Sequence, residues 1–236
     1  GVPTGATLSA GTNQGGGVWR LTPAQLSGLT ITPPANSDAD FTLTVTATST
    51  EAAGGTTTNS ATLAVTVNPV ADAPTLSVSA ASGNEDAAIP LAITSALADT
   101  DGSETLAISI SGVPTGATLS AGTNQGGGVW TLTAAQLAGL TITPPANDAA
   151  DFTLTVTATA TDAGGSTATQ SASLAVTVVG SADAPTLSVS PASGNEDGGA
   201  IALTISSALV DPTETLSLTI SGVPTGVVLS AGSDLG

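Results

Sequence analysis

The chain has no cysteine, lysine, histidine, methionine or tyrosine, and Arg20 is its only basic side chain in 236 residues. Each absence excludes something. Without cysteine there is neither a disulfide staple nor a thiolate metal site. Without His, Cys or Lys, the abundant Ser and Thr hydroxyls lack an activating base, and general-base and nucleophilic schemes lose their usual participants. A carboxylate pair serves glycosidases, but no aromatic sugar platform accompanies the acids here, and catalysis is not expected. A single cation cannot bind a phosphate backbone or an anionic lipid surface, so nucleic acid is excluded as a partner. No stretch reaches the roughly 18–20 apolar residues of a membrane span, so direct membrane insertion is not expected. No signal peptide is visible, as expected of a stretch that opens in mid-repeat. Aromatics are scarce too, with two Phe and two Trp.

What the chain does have is acid. Eighteen Asp and Glu give a net charge of −17, and a cation is the natural partner.

It also has a long repeat. Gly1–Trp19 returns unchanged as Gly112–Trp130, and residues 1–86 match 112–197 at 70 of 86 positions at a shift of 111. A third, partial copy starts at Gly222 (GVPTGVVLSAG). Solenoid units run about 20–50 residues, so this period is a whole domain. The expected organisation is 1–71 as the C-terminal part of one repeat, 72–182 as a complete repeat, and 183–236 as the N-terminal part of a third. Ala-Asp-Ala-Pro (71–74 and 182–185) is the linker, its proline blocking continuation of a ladder.

Low charge and abundant Thr, Ser, Ala and Gly would suit disorder, but strict alternation argues otherwise. In Asp151–Thr161 (DFTLTVTATAT), Phe152, Leu154, Val156, Ala158 and Ala160 face one way and Thr the other, which is a strand with one buried face. Ala172, Leu174, Val176 and Val178 repeat the pattern, as do Leu106, Ile108 and Ile110, and Leu76, Val78 and Ala80. A further strand is expected over Ile89–Thr94. Turn signals recur at Gly112–Gly116 and at Asn124–Gly128, the latter read as a flexible hairpin loop; only Ala134–Gly139 suits a helical turn. About seven short strands in roughly 110 residues predict an all-β, Ig-like antiparallel sandwich. Trp130 is expected to pack between its sheets.

The acids avoid the strands. The complete unit carries Asp72, Glu85, Asp86, Asp99, Asp101, Glu104, Asp148, Asp151 and Asp162 with no base, all in linkers, loops or strand ends. Uncompensated carboxylates repel one another, and a bound hard cation reverses that cost. Calcium, which takes six to eight oxygens, is the metal this chain can serve. Strand direction places every acid at a domain end. The first junction is expected to gather Asp38, Asp40, Asp72, Asp99, Asp101, Glu104 and Asp162. The second is expected to gather Glu85, Asp86, Asp148, Asp151, Asp183, Asp211 and Glu214. The bland alternative is that the acids only solubilise the protein. Asp99-Thr-Asp-Gly-Ser-Glu104 is too short for an EF-hand loop.

This text (ADAPTLSV, GNED, ALADTDGSETLAISISGVPTGATLSAG) resembles the tandem repeats of giant bacterial RTX-type adhesins, which are secreted by type I machinery, associated with biofilms, and built from calcium-binding Ig-like or cadherin-like domains. Ala160-Thr-Asp162-Ala-Gly164 is similar to the cadherin A-x-D-x-G signature, Asp99-x-Asp101 to its D-x-D, and Ala-Asp-Ala-Pro to its linker. The resemblance covers the whole chain. It implies calcium at the junctions, an extracellular place on the bacterial surface, and a stalk role in adhesion or biofilm formation.

Two departures matter. The first copy has Glu51 and Ala53 where the second has Asp162 and Gly164, and the third shortens Ala98–Glu104 to Val210–Glu214, dropping two residues and one carboxylate. The second junction is therefore expected to bind calcium less well. The functional expectation is an extender whose partners are its own neighbouring repeats and whose joints are stiffened by calcium. The rival readings are a calcium-dependent carbohydrate or ligand-binding module, and self-association into fibres by head-to-tail completion of the partial domains.

Overall fold

A computed structural model describes residues 1–233. The first part of the chain forms β1 (Thr7–Leu8), β2 (Thr12–Gly15), β3 (Val18–Arg20), β4 (Ile31–Thr32), β5 (Phe41–Thr50) and β6 (Thr56–Val65). The central part forms β7 (Thr75–Val78), β8 (Ala81–Asn84), β9 (Ile89–Pro90), β10 (Ile93–Ala96), β11 (Glu104–Ser111) and β12 (Thr118–Leu119). It continues with β13 (Thr123–Gly126), β14 (Val129–Thr133), β15 (Thr141–Thr143), β16 (Phe152–Asp162) and β17 (Thr167–Val179). The last part forms β18 (Thr186–Val189) and β19 (Ile205–Ala208). The architecture is all-β, with a single 3₁₀ turn (Ala134–Leu137) in the central part and its counterpart at Pro23–Leu26.

The central part is a β-sandwich. One sheet has the order β13-β14-β11-β16-β17-β8, and the facing layer consists of β10-β7 and β12-β15-β9. The alternation seen in the sequence sets the core. Leu154, Val156, Ala158 and Ala160 of β16 are fully buried, and Thr153 and Thr155 on either side of Leu154 are exposed. Leu154, Val156 and Ala158 pack with Ile108 and Ile110 of β11, Leu174 and Val176 of β17, and Ile89, Ile93, Leu119 and Ile142 of the facing layer. Each such Val, Leu or Ile side chain, fully buried, contributes about 1.5–3 kcal/mol of transfer free energy.

Four local features differ from the sequence expectation. The stretch Ile89–Thr94 is two strands, β9 on β15 and β10 on β7: the Leu91 N–H still donates to the Leu140 carbonyl, and from Ala92, whose carbonyl accepts the Ser79 N–H, the chain pairs on the β7 side. The unit has more and shorter strands than seven for this reason and because turns divide others. The hairpin loop shrinks to Gly127-Gly128, at φ 59° and 76°, the two-residue turn whose left-handed φ values match the twist of paired strands. Trp130 is only half-buried and lies against the margin of the core.

The sandwich is also not wholly antiparallel. β8 pairs parallel with β17, Val176 opposite Ala81 and Val179 opposite Asn84. The chain leaves β7 in one sheet, crosses at Ser79-Ala80 and continues in the same direction as β8 in the other. The last strand runs in that direction as well, so the pair must be parallel. Gly83 lets β8 lie close against Ile89: a Cβ there would lie 2.8 Å from Ile89 Cγ1.

In the first part of the chain the same text meets no facing layer. The β5–β6 hairpin pairs over ten residues, yet Val45 and Leu63 are 54% exposed, whereas their counterparts Val156 and Leu174 are 0% exposed.

Candidate metal centre

The pairing fixes where the acids stand. β7 and β10 are antiparallel with Thr75 opposite Ala96, so the linker residue Asp72 and the loop Asp99–Ser103 share one end of the sandwich. β11 and β16 are antiparallel with Glu104 opposite Asp162, which brings both to that same end. The link is direct: the Asp72 N–H donates to Glu104 Oε1 at 2.6 Å. At the opposite end, the Ser181 N–H donates to Glu85 Oε1 at 2.7 Å, and the Asp183 N–H donates to Glu214 Oε1 at 2.7 Å. The two linkers are therefore held alike, each by the glutamate that follows its acidic loop.

These carboxylates are unusual in their burial. Glu85, Asp99, Glu104, Asp162 and Asp211 are all buried, and among the described residues they are the only buried polar or charged ones. Four oxygens, Glu104 Oε2, Asp162 Oδ2, Glu85 Oε2 and Asp183 Oδ2, are buried with no hydrogen-bond partner. A buried carboxylate oxygen without a donor or counter-charge is costly. The first two belong to register partners at the first joint; of the other two, Asp183 lies in the second linker and Glu85 accepts the Ser181 N–H just before it.

The remaining acids divide by what already occupies them. In the acidic loop, Asp99 Oδ1 accepts the Asp101 N–H at 2.9 Å and Asp101 Oδ1 accepts the Ser103 N–H at 2.9 Å. The Ser103 hydroxyl and N–H hold the Asp101 carboxyl below its ordinary value against some desolvation, with help from the Asp38 backbone and the Asp99 side chain. Asp38, from the preceding repeat, thus reaches the loop through its backbone. Burial acts to raise the Asp162 carboxyl and is the largest single influence there. Hydrogen bonds from Ser166, Gly164 and Gly165 outweigh it and hold the group low. At the second joint, burial and the nearby charges of Asp86, Glu214 and Asp211 push the Asp183 carboxyl up.

Three of the acids expected at the joints serve their own domain instead. Asp40 Oδ1 accepts the Val67 N–H and Asp151 Oδ1 the Val178 N–H, each at 2.8 Å, tying the start of one strand to its neighbour. Asp148 Oδ1 accepts the Ala150 N–H at 2.9 Å. Among the described residues no group of three or more acidic side chains is close enough to hold a metal ion. Each joint thus gathers fewer carboxylates than the seven expected of it.

The chemistry left over still fits a hard cation. Orphaned buried oxygens are acceptors without donors, and backbone carbonyls of the linkers and loops can complete an oxygen shell that calcium fills with six to eight ligands. Asp72, Asp99, Glu104 and Asp162 share the first joint's end of the sandwich, and Glu85, Asp86, Asp183, Asp211 and Glu214 stand about the second linker, with no three of them converging on one point among the described residues.

Two asparagines missed in the sequence also belong to the joints. Asn36 and Asn147 occupy the same place in successive copies, after Pro-Pro-Ala, with left-handed φ of 55° and 53°. Asn36 Nδ2 donates to the Ala98 carbonyl at 3.3 Å and Asn147 Nδ2 to the Val210 carbonyl at 3.2 Å. Asn is among the few side chains that tolerate such φ, and its recurrence before an acidic stretch was the available signal.

No protein-family model and no curated protein sequence matches the chain. Among solved structures, the chain is similar to surface layer protein SbsC, domains 1–6, at 15% identity and a TM-score of 0.29. The match covers 88% of this chain and 36% of that one. The chain thus spans about a third of the length of that solved chain, and a likeness this loose carries no functional argument. Among the described residues no helix is long and apolar enough to cross a membrane.

Proposed function

We propose that the chain is a non-catalytic extender, a run of stalk repeats on a bacterial cell surface whose joints are stiffened by calcium and which supports adhesion or biofilm formation. One observation carries this reading: Glu104 and Asp162 lie opposite each other at the first joint, and each keeps one carboxylate oxygen buried and unpartnered beside the linker. Calcium would supply the positive charge and open coordination that such oxygens lack. The chain's residues do the rest. Glu104 fixes the linker through the Asp72 N–H, and Asp162 sits at the hairpin tip that meets the same linker.

Without a counter-ion, a chain of net charge −17 repels itself at its joints. A cation that binds only the aligned, folded form stabilises it by linkage, roughly 2.7 kcal/mol when present at 100 times its Kd. The millimolar calcium range of extracellular modules suits such sites. The likeness of the text to RTX-type adhesin repeats supports the same place and role.

The test is a calcium titration followed by small-angle scattering and thermal melting, reversed with EGTA. Calcium is expected to raise the melting temperature and the maximum dimension together. If neither responds, the joints are not metal clamps. Sugar-dependent changes in the calcium-loaded protein would favour a ligand-binding module instead.

A further inference from the structure

Beside its acids the first joint has contacts that involve no carboxylate, one on each side of the linker. On one side, Asn36 Nδ2 of the preceding repeat donates to the Ala98 carbonyl at 3.3 Å. On the other, the tip of the β16–β17 hairpin reaches back to the linker, where Ser166 Oγ accepts the Ala71 N–H at 2.8 Å. The tip comes this close because residue 164 is glycine: a Cβ there would stand 3.2 Å from Pro69 Cγ and 3.2 Å from Asp162 Oδ1. Contacts at that distance are tighter than side chains ordinarily make, so a larger residue would push the tip off the linker.

We propose that Asn36 and Ser166 form a metal-independent clasp that sets how one repeat is seated on the next, and that the hairpin tip determines which joints of an array are clasped. Asn36 and Ser166 are positioning residues. The two bonds themselves join neutral groups; the Ser166 N–H also donates to Asp162 Oδ1 at 3.0 Å, so the clasp is read in EGTA, where no metal competes for that carboxylate. Asn147 repeats the first half of the device at the second joint, where its own N–H is held at 3.0 Å by Asp86 Oδ1 and its amide meets Val210.

The first copy of the tip is built differently. Where the second copy reads Asp162-Ala-Gly-Gly-Ser166, the first reads Glu51-Ala-Ala-Gly-Gly55. It has a methyl group at the close-approach position and no hydroxyl at the acceptor position. A tip of that sequence cannot grip a linker in this way. Near-identical repeats thus encode two kinds of joint in a few tip residues.

The proposal goes beyond the calcium reading and is tested apart from it. The absence of cysteine allows a spin-label pair to be placed uniquely, at Thr58→Cys and Thr155→Cys, both exposed and in adjacent repeats. Inter-repeat distance distributions are then measured in EGTA and in calcium. In EGTA, Asn36→Ala and Ser166→Gly are each expected to lower the ratio of seated to splayed joints roughly two- to twelve-fold, the range one net hydrogen bond commands. Ser166→Thr should restore the seated population, and Asn147→Ala, which touches only the second joint, should leave this distribution unchanged. Melting of the central repeat is followed in every variant, and an unaltered melting temperature shows that the domain itself is intact.

The clasp is overturned if Asn36→Ala and Ser166→Gly leave the EGTA distribution as it was, or if Asn147→Ala broadens it equally. The calcium reading stands or falls on a different comparison, the narrowing of the unsubstituted protein's distribution between EGTA and calcium.

Discussion

Glu104 and Asp162 are direct partners across β11 and β16, the first residue of one strand facing the last of the other. Their free oxygens lie within the same end of the sandwich, under the linker that joins two repeats. Two buried carboxylates in adjacent strands oppose folding unless something neutralises them, so on the proposed calcium reading this pair is where cation dependence would be concentrated.

Glu104→Gln keeps the acceptor for the Asp72 N–H and removes the charge. In EGTA this variant is expected to melt no lower than the unsubstituted protein, while its gain in melting temperature on adding calcium shrinks. Asp162→Asn should behave likewise. Calorimetry with and without EGTA checks both, and an undiminished calcium gain in the two variants would count against the pair as ligands.

The two joints should respond to acid with opposite signs. Asp162 is held below its ordinary value, so its contribution is present at neutral pH and is lost as pH falls through its folded value, below about 3.9. Asp183 is pushed up, chiefly by burial and then by Asp86, Glu214 and Asp211. Its favourable contribution is present below about 3.9 and is lost as pH rises through its folded value. In EGTA, acidification from neutrality toward pH 4 should therefore relieve the second joint before it harms the first. Asp183→Asn should abolish that relief, which melting curves across the range will show.

One substitution made at two equivalent places should separate core from surface. Leu174 is 0% exposed and Leu63, its counterpart one repeat earlier, is 54% exposed. Leu174→Ala is expected to cost about 2–5 kcal/mol, and Leu63→Ala to fall within about 0.5 kcal/mol of neutral. Urea denaturation of the two variants measures the difference.

Gly83→Ala would place a methyl group 2.8 Å from Ile89 Cγ1, where β8 lies against the core. Overpacking of this kind typically costs about 1–3 kcal/mol. The loss should appear as a lower denaturation midpoint with the calcium response retained, because no candidate ligand is touched.

Much of this arrangement was legible in the sequence, for identifiable reasons. Strict alternation in Phe152–Asp162 gave the buried face of the central strand, and counting strand directions put Asp72, Asp99, Glu104 and Asp162 at one end. Counting could not distinguish a carboxylate that faces a joint from one that ties its own domain together. Asp40 and Asp151 read as joint acids yet cap the N–H groups of Val67 and Val178, since a short acid before a strand has the same sequence in either role. Asn36 and Asn147 were passed over because a side-chain amide reaching across a joint leaves no periodic mark. The parallel course of β8 was hidden as well, since a strand's direction of pairing depends on a sheet crossing at Ser79-Ala80 that no residue type announces.

That crossing has a mechanical consequence. The linkers leave the sandwich at opposite ends, so tension along the array pulls β8 and β17 past each other. Because the two strands are parallel, the four register pairs from Ala81–Val176 to Asn84–Val179 are loaded together, in shear, and no pair can peel away ahead of the rest. A repeat built this way resists stretching with its whole terminal ladder at once.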